Sequence, residues 1–279
     1  MFGHRASCRH GPELSDDEQP AAPYTDNVGA VVDYQITSGH ADWPRLRDSA
    51  QWAEDNGFAA IWVVDHLAGS SMGGNQSYEA FTWLGAMAAT TERIELGSLV
   101  TNVWNRSIGT SVVAAATVAE ISQRRFWFGV GAGTSPSSSF SWEQHVVNAP
   151  IEPSMERRHD RVEELLDLSA RIWGETSGEF PTFMTPQHIP RKIVGVNSIR
   201  LSKIAGEKAD GINVAWAHPR RDEFLAACRE QSPASDFEWT TYVPYDPALR
   251  DEDHPTRQEM ASLGITRVIL LETGVPHVS

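Results

Sequence analysis

From residue 28 onward, short runs rich in Val, Ile, Phe and Trp alternate with longer stretches whose apolar residues recur three or four positions apart. The runs Val28–Val32, Ala60–Val64, Ile94–Val100, Phe126–Val130, Lys192–Val196, Ile212–Ala215, Glu238–Val243 and Arg267–Leu271 predict strands. The stretches Asp42–Asn56, Tyr78–Thr91, Ile108–Ser122, Met155–Trp173, Ile199–Lys208, Arg220–Gln231 and Pro255–Leu263 predict helices. Asp42 is placed to cap the first helix, and Gly57 and Gly174 to end the first and fourth. Residues 134–153, opening with Thr134-Ser135-Pro136-Ser137-Ser138-Ser139, break the rhythm and read as a loop insertion. Residues 175–190 carry three prolines and read as irregular, with room for a small hairpin.

Strands that alternate with helices imply a parallel sheet, and eight of them imply an α/β fold closed into a (β/α)₈ TIM barrel rather than a doubly wound open sheet. The 279 residues suit this, because one such barrel takes roughly 250. Only eight residues follow the last predicted strand, so the closing helix is expected to be incomplete. The expected organisation is a mobile tail over residues 1–26, rich in Pro, Asp and Glu in its second half, followed by one barrel domain over 27–279.

Charge and composition narrow the partners. A formal charge of −14 without a basic stripe argues against nucleic acid and anionic membranes. No apolar run approaches the roughly 18 residues that a membrane span requires, and the first ten residues lack the apolar stretch of a signal peptide. Two cysteines, Cys8 and Cys228, form no CxxC motif and suggest a reduced, cytoplasmic setting. His4, Cys8 and His10 are candidate metal ligands by type only, and no metal is expected.

Candidate chemistry collects where the predicted strands end, which in a barrel is the C-terminal mouth. Asp65-His66 follows the second strand, and His66 is a natural general acid or base at neutral pH. Thr101-Asn102-Val103-Trp104-Asn105-Arg106 follows the third. Gly131-Ala132-Gly133 follows the fourth. It is no dinucleotide fingerprint, because Pro136 stands where a helix should begin. Asn197-Ser198 opens a helix, where free amides can hold phosphate with Arg200 nearby. Trp104 and Trp216, in loops, are candidate walls of an apolar substrate pocket. Motifs of the common hydrolases, kinases and metalloproteases are absent.

Several segments resemble the luciferase-like monooxygenase family, in order across residues 50–214. Ala53-Glu54-Asp55-Asn56-Gly57-Phe58 through Trp62-Val63-Val64-Asp65-His66 is similar to its "AE..GF...WV.DH" segment. Glu79, then Ala88 through Gly97, resembles "E…AA.T.RI.LG", and Ile121 through Gly133 resembles "LS.GR…G.GAG". Ala205-Gly206-Glu207-Lys208-Ala209-Asp210-Gly211 resembles "AG..ADG". Val100-Thr101-Asn102-Val103-Trp104-Asn105-Arg106 is similar to the "VTNP(Y/F).R" of members dependent on coenzyme F420, with Val103 in place of the proline.

The resemblance implies an oxidoreductase moving a hydride between coenzyme F420 and a small organic substrate, with a homodimer as a compatible assembly. It places a cis peptide at Leu99–Val100 behind the deazaflavin ring. Leu99, Val100 and Thr101 would back that ring, Asn102, Gly131, Ala132 and Gly133 would line its edge, and Asn197, Ser198 and Arg200 would hold phosphate. His66 would exchange the substrate proton, with Asp65 orienting it or touching the cofactor. F420-dependent sugar-phosphate dehydrogenases carry a glutamate directly after their Gly-Thr-Gly. Thr134 stands at that place here, which argues against that substrate. The alternatives are an FMN-dependent monooxygenase using reduced flavin and O₂, a catalytically silent flavin-binding barrel, and a metal-assisted hydrolase built on Asp65 and His66.

Overall fold

A computed structural model describes residues 29–174 and 179–278. The expected tail over 1–26, with His4, Cys8 and His10, lies outside the described residues. The elements run β1 (Val31–Ile36), α1 (Trp43–Asp55), β2 (Ala60–Val63), α2 (Ala80–Ala88), β3 (Glu95–Asn102), α3 (Ile108–Ser122), β4 (Phe126–Gly131), α4 (Ser141–Val146) and α5 (Met155–Ile172). They continue as β5 (Arg191–Gly195), α6 (Ile199–Lys208), β6 (Gly211–Ala215), α7 (Arg221–Arg229), β7 (Glu238–Pro244), α8 (Pro255–Ser262) and β8 (Arg267–Glu272).

Each strand pairs in parallel with its neighbour in sequence, and β8 closes onto β1 from Val31 opposite Arg267 to Ile36 opposite Glu272. The fold is therefore a closed eight-stranded (β/α)₈ barrel. Local chemistry sets the helix ends. Asp42 accepts the Arg45 amide at 3.1 Å at the start of α1, and Ser198 accepts the Leu201 amide at 3.2 Å at the start of α6. Gly57 and Gly174 follow α1 and α5 with φ of 76° and 78°, a conformation that costs glycine little.

The period-two alternation of the strands divides the core. Ile61, Val63, Leu96, Phe126, Phe128, Ile212, Val268 and Leu270 pack outward under the helices. Trp62, Leu99, Trp127, Ile193 and Ile269 fill the barrel interior. Asp33 is buried among them. It accepts two bonds from one Arg267 nitrogen, each 2.7 Å, and others from the Trp62 indole at 2.7 Å and the Ala60 amide at 3.1 Å. Burial pushes the Asp33 carboxyl up to about 6 against the opposing pull of Arg267 and Trp62. This explains why β1 is displaced from the expected Val28–Val32. Its inward positions, Asp33 and Gln35, are polar, and an apolar-run reading stops at the first of them.

Two other expectations change, and the incomplete closing helix is found as expected. The insertion at 134–153 is not all loop, since it contains α4. Residues 179–190 contain no strand, and residues 175–178 of the suggested hairpin lie outside the described residues. No helix follows β8 among the described residues, yet the barrel closes. The terminal segment covers the gap instead. The Pro276 carbonyl accepts from Arg45 Nε at 3.2 Å, the His277 amide donates to the Tyr34 hydroxyl at 3.2 Å, and the His277 ring stacks 5.0 Å from Trp52. Among the described residues no helix is long and apolar enough to cross a membrane.

Candidate active site

The C-terminal mouth of the barrel holds a cavity of about 460 Å³, within the range of small-ligand sites. Asp65, His66, Asn102, Gly131 and Asn197 all line it, so four of the eight strand ends converge as the motif positions suggested. Its wall is built around a bulge in β3. The peptide between Leu99 and Val100 is cis, and the register with β4 shifts between Ser98 and Thr101. Buried Gln35, from β1, donates its side-chain amide to the Leu99 carbonyl at 2.8 Å and holds the bulge from across the barrel.

Val100 projects from that bulge between two glycines. A Cβ at Gly131 would lie 2.5 Å from one Val100 methyl, and a Cβ at Gly195 would lie 2.7 Å from the other. Both positions are glycine because a β-branched side chain, stiff about χ1, fills the space where their side chains would be. Gly131→Ala is thus an overpacking change, expected to cost about 1–3 kcal/mol in a chemical denaturation experiment. An unchanged midpoint would show that Val100 moves aside freely.

The imidazole of His66 lies at the end of β2. Its Nδ1 is 2.9 Å from Glu143 Oε1, and Phe140 packs against the ring at a centroid distance of 5.2 Å. Glu143 comes from α4, 77 residues further along the chain. Its other oxygen, Oε2, accepts from the Leu67 amide at 3.0 Å, the Ala68 amide at 3.1 Å and the Ser71 hydroxyl at 2.8 Å. Burial alone would raise the Glu143 carboxyl. The hydrogen bonds from His66, Ser71 and Ala68 outweigh it and hold the group below the ordinary carboxylate range. The ring's other nitrogen, Nε2, has no protein partner among the described residues.

Asp65 lines the cavity but does not orient His66, which corrects the expected pairing. Arg106 grips both Asp65 oxygens at 2.7 Å, the Asn102 amide donates to Oδ2 at 2.9 Å, and the Asn105 side chain donates to the Asp65 carbonyl at 2.9 Å. Arg106 also donates to Glu79 at 2.8 Å. Asp65 therefore ties the β2 end to the loop after β3 through a bidentate pair.

Other expected residues divide. Leu99, Val100, Asn102, Gly131, Ala132, Gly133 and Asn197 line the cavity. Thr101 does not. It is buried in the wall, its hydroxyl 2.9 Å from Ser98 Oγ, because the alternation at the bulge turns it outward. Ser198 caps α6 rather than facing the cavity. Arg200 points back along α5, to the Glu156 carbonyl at 3.1 Å and Asp160 at 2.5 Å. Trp104 and Trp216 are not cavity walls either. Each lies under a guanidinium, Arg161 at 4.4 Å and Arg221 at 3.7 Å, and packs toward the outer core.

His218, expected at the mouth after the sixth strand, lines the cavity, and residues overlooked in the sequence join it: Met72, Phe140 and Tyr242 supply apolar surface, while Gln35 and Asn213 supply polar groups. Gln35 and Asn213 lie within strands, where an amide signals only an inward-facing polar position. Phe140 and Glu143 lie in the insertion, with no local pattern to mark them.

Comparison with known proteins agrees with this architecture. A profile of the luciferase-like monooxygenase family matches residues 17–236. The chain is 24% identical over 185 residues to the 5,10-methylenetetrahydromethanopterin reductase of Methanolobus tindarius, covering 63% of this chain and 51% of the relative. The chain thus spans about half the length of the curated relatives it matches. An F420-dependent secondary alcohol dehydrogenase in complex with an F420-acetone adduct superposes with a TM-score of 0.68 at 18% identity, covering 90% of this chain and 94% of that one. The monooxygenase RslO1 from Streptomyces bottropensis superposes with a TM-score of 0.59 at 19% identity, covering 83% and 77%. With the family profile spanning most of its length, the chain belongs to the luciferase-like monooxygenase family.

Proposed function

We propose that this protein is an oxidoreductase that moves a hydride between coenzyme F420 and a small, uncharged alcohol or carbonyl substrate at the mouth of the barrel. The observation that carries this reading is the cavity itself. It has an apolar wall of Leu99 and Val100 on one side and, on the other, an imidazole whose Nε2 has no protein partner among the described residues. Several relatives in sequence are F420-dependent enzymes, which supports the choice of cofactor.

The residues present fit a planar ring with polar edges. Val100 and Leu99 offer an apolar surface, while the amides of Gln35, Asn102 and Asn213 line the same cavity. Asn197 and the first amides of α6 would hold the phosphate of the tail, since Arg200 is committed to Asp160. When bound, the deazaflavin supplies two-electron hydride chemistry. His66 then handles the proton. As the substrate carbinol carbon gives up its hydride, Nε2 takes the hydroxyl proton, and it returns that proton when a carbonyl is reduced. Among the described residues no Arg or Lys lines the cavity, so a phosphate or carboxylate on the substrate would meet no permanent cation there, which disfavours charged substrates.

Thermal unfolding with each cofactor added separately tests the reading. F420 at a hundredfold excess over its Kd is expected to raise Tm by roughly 5–10 °C, with FMN giving little. Stabilisation by FMN alone would reject F420 and support the flavin monooxygenase. Faster turnover of a phosphorylated substrate than of its neutral counterpart would reject the substrate class.

A further inference from the structure

We infer that Glu143 is the positioning residue of the active site. Carried in by the 134–153 insertion, it locks His66 in the tautomer that has hydrogen on Nδ1 and leaves Nε2 as the open proton acceptor. The catalytic consequence rests on the proposed function, but the tautomer does not.

The argument is a count of donors and acceptors. Glu143 Oε2 already receives the Leu67 amide, the Ala68 amide and the Ser71 hydroxyl. Two of these donors are backbone amides, so this oxygen must be an acceptor. The hydrogen bonds hold Glu143 below the ordinary carboxylate range, so it is ionised and Oε1 is an acceptor as well. His66 Nδ1, 2.9 Å from Oε1, must therefore carry the hydrogen in the neutral ring. Glu143 is also largely buried, its side chain 3% exposed against 24% for His66. The same four bonds pin α4 against the β2–α2 connection, with Phe140 on the imidazole. Ordering of the insertion and competence of the imidazole are thus one event.

Glu143→Gln makes a sharp test because a carboxamide has only one oxygen. Three donors converge on the Oε2 position, so the amide oxygen belongs there and its NH₂ faces Nδ1. Nδ1 must then accept, which moves the ring hydrogen to Nε2. Long-range ¹⁵N–¹H correlation of the histidine rings in the cofactor-free protein, with His66 assigned by its own substitution, reads this directly. The expected result is an Nδ1–H tautomer in the wild-type protein and Nε2–H in Glu143→Gln. Turnover should fall roughly 10²–10⁴-fold with little change in KM, and Glu143→Asp should restore part of it.

An Nε2–H tautomer in the wild-type protein would overturn the inference, as would a tautomer and turnover unmoved by Glu143→Gln. Should Glu143→Gln fail to fold, the wild-type tautomer and Glu143→Asp still decide. If the tautomers behave as stated but F420 does not bind, the proposed function fails and this assignment stands.

Discussion

Arg267→Met is expected to destabilise the protein by about 3–5 kcal/mol, the usual loss when one partner of a buried ion pair is removed. Arg267 is 1% exposed inside the barrel, both oxygens of fully buried Asp33 lie 2.7 Å from its Nη1, and its guanidinium lies 4.4 Å from the centre of the Trp127 ring. Methionine keeps the stem but leaves the Asp33 carboxyl without its cation. The effect carries a pH signature. Burial raises the folded-state value of Asp33 to about 6, above its unfolded value of 3.8, so the folded chain holds this proton more tightly. Below about 6 the carboxyl is protonated in both proteins, and little of the deficit is electrostatic. Above it, wild-type Asp33 ionises against Arg267, whereas the variant must retain the proton or bury an unpaired charge. The deficit should therefore widen as pH rises through about 6. Denaturant melts at pH 5 and pH 8 measure this, and Asp33→Asn in the Arg267→Met background should recover part of the loss at pH 8. A deficit that does not change with pH would show that Arg267 contributes through packing on Trp127 alone.

The same pair illustrates what could be read in advance. Helices α3 and α6 end where the pattern placed them, because Ser107 and Ser198 are local caps and the apolar faces are uninterrupted. Barrel strands β2 to β8 end within two residues of the expected positions, whereas β1 lies three to four residues further on, since its ends are set by pairing and by the inward polar residues Asp33 and Gln35 rather than by an apolar run. The mouth was legible at Asp65-His66, Asn102 and Gly131 because βα loops follow strands in any such barrel. The cis bulge at Leu99–Val100 was legible through family resemblance alone. Where side chains point was not legible. Arg200 stands beside a helix N-terminus in sequence, but the turn of α6 directs it to Asp160. Trp104 and Trp216 sit in mouth loops, yet guanidiniums cover them and they turn to the outer core. The Glu143–His66 contact joins segments whose separation no spacing rule spans.

His66→Ala is expected to leave F420 affinity nearly unchanged and to lower kcat by roughly 10²–10⁴-fold, the scale of a lost proton-transfer group. The two effects separate because the proposed ring wall and the proposed phosphate seat belong to other elements. Leu99 and Val100 are held by Gln35 and the flanking glycines, and Asn197 by the start of α6. Removing the imidazole also frees Glu143 Oε1, but the three donors on Oε2 keep the insertion in place, so stability should fall far less than activity. The vacated volume opens directly to the cavity, so added imidazole should restore part of the rate in His66→Ala and none in the wild-type protein. Cofactor titration, steady-state kinetics and this rescue together distinguish a proton carrier from a wall residue. Unchanged turnover in His66→Ala would remove His66 from the chemistry. A loss confined to F420 affinity would reassign it to the cofactor seat.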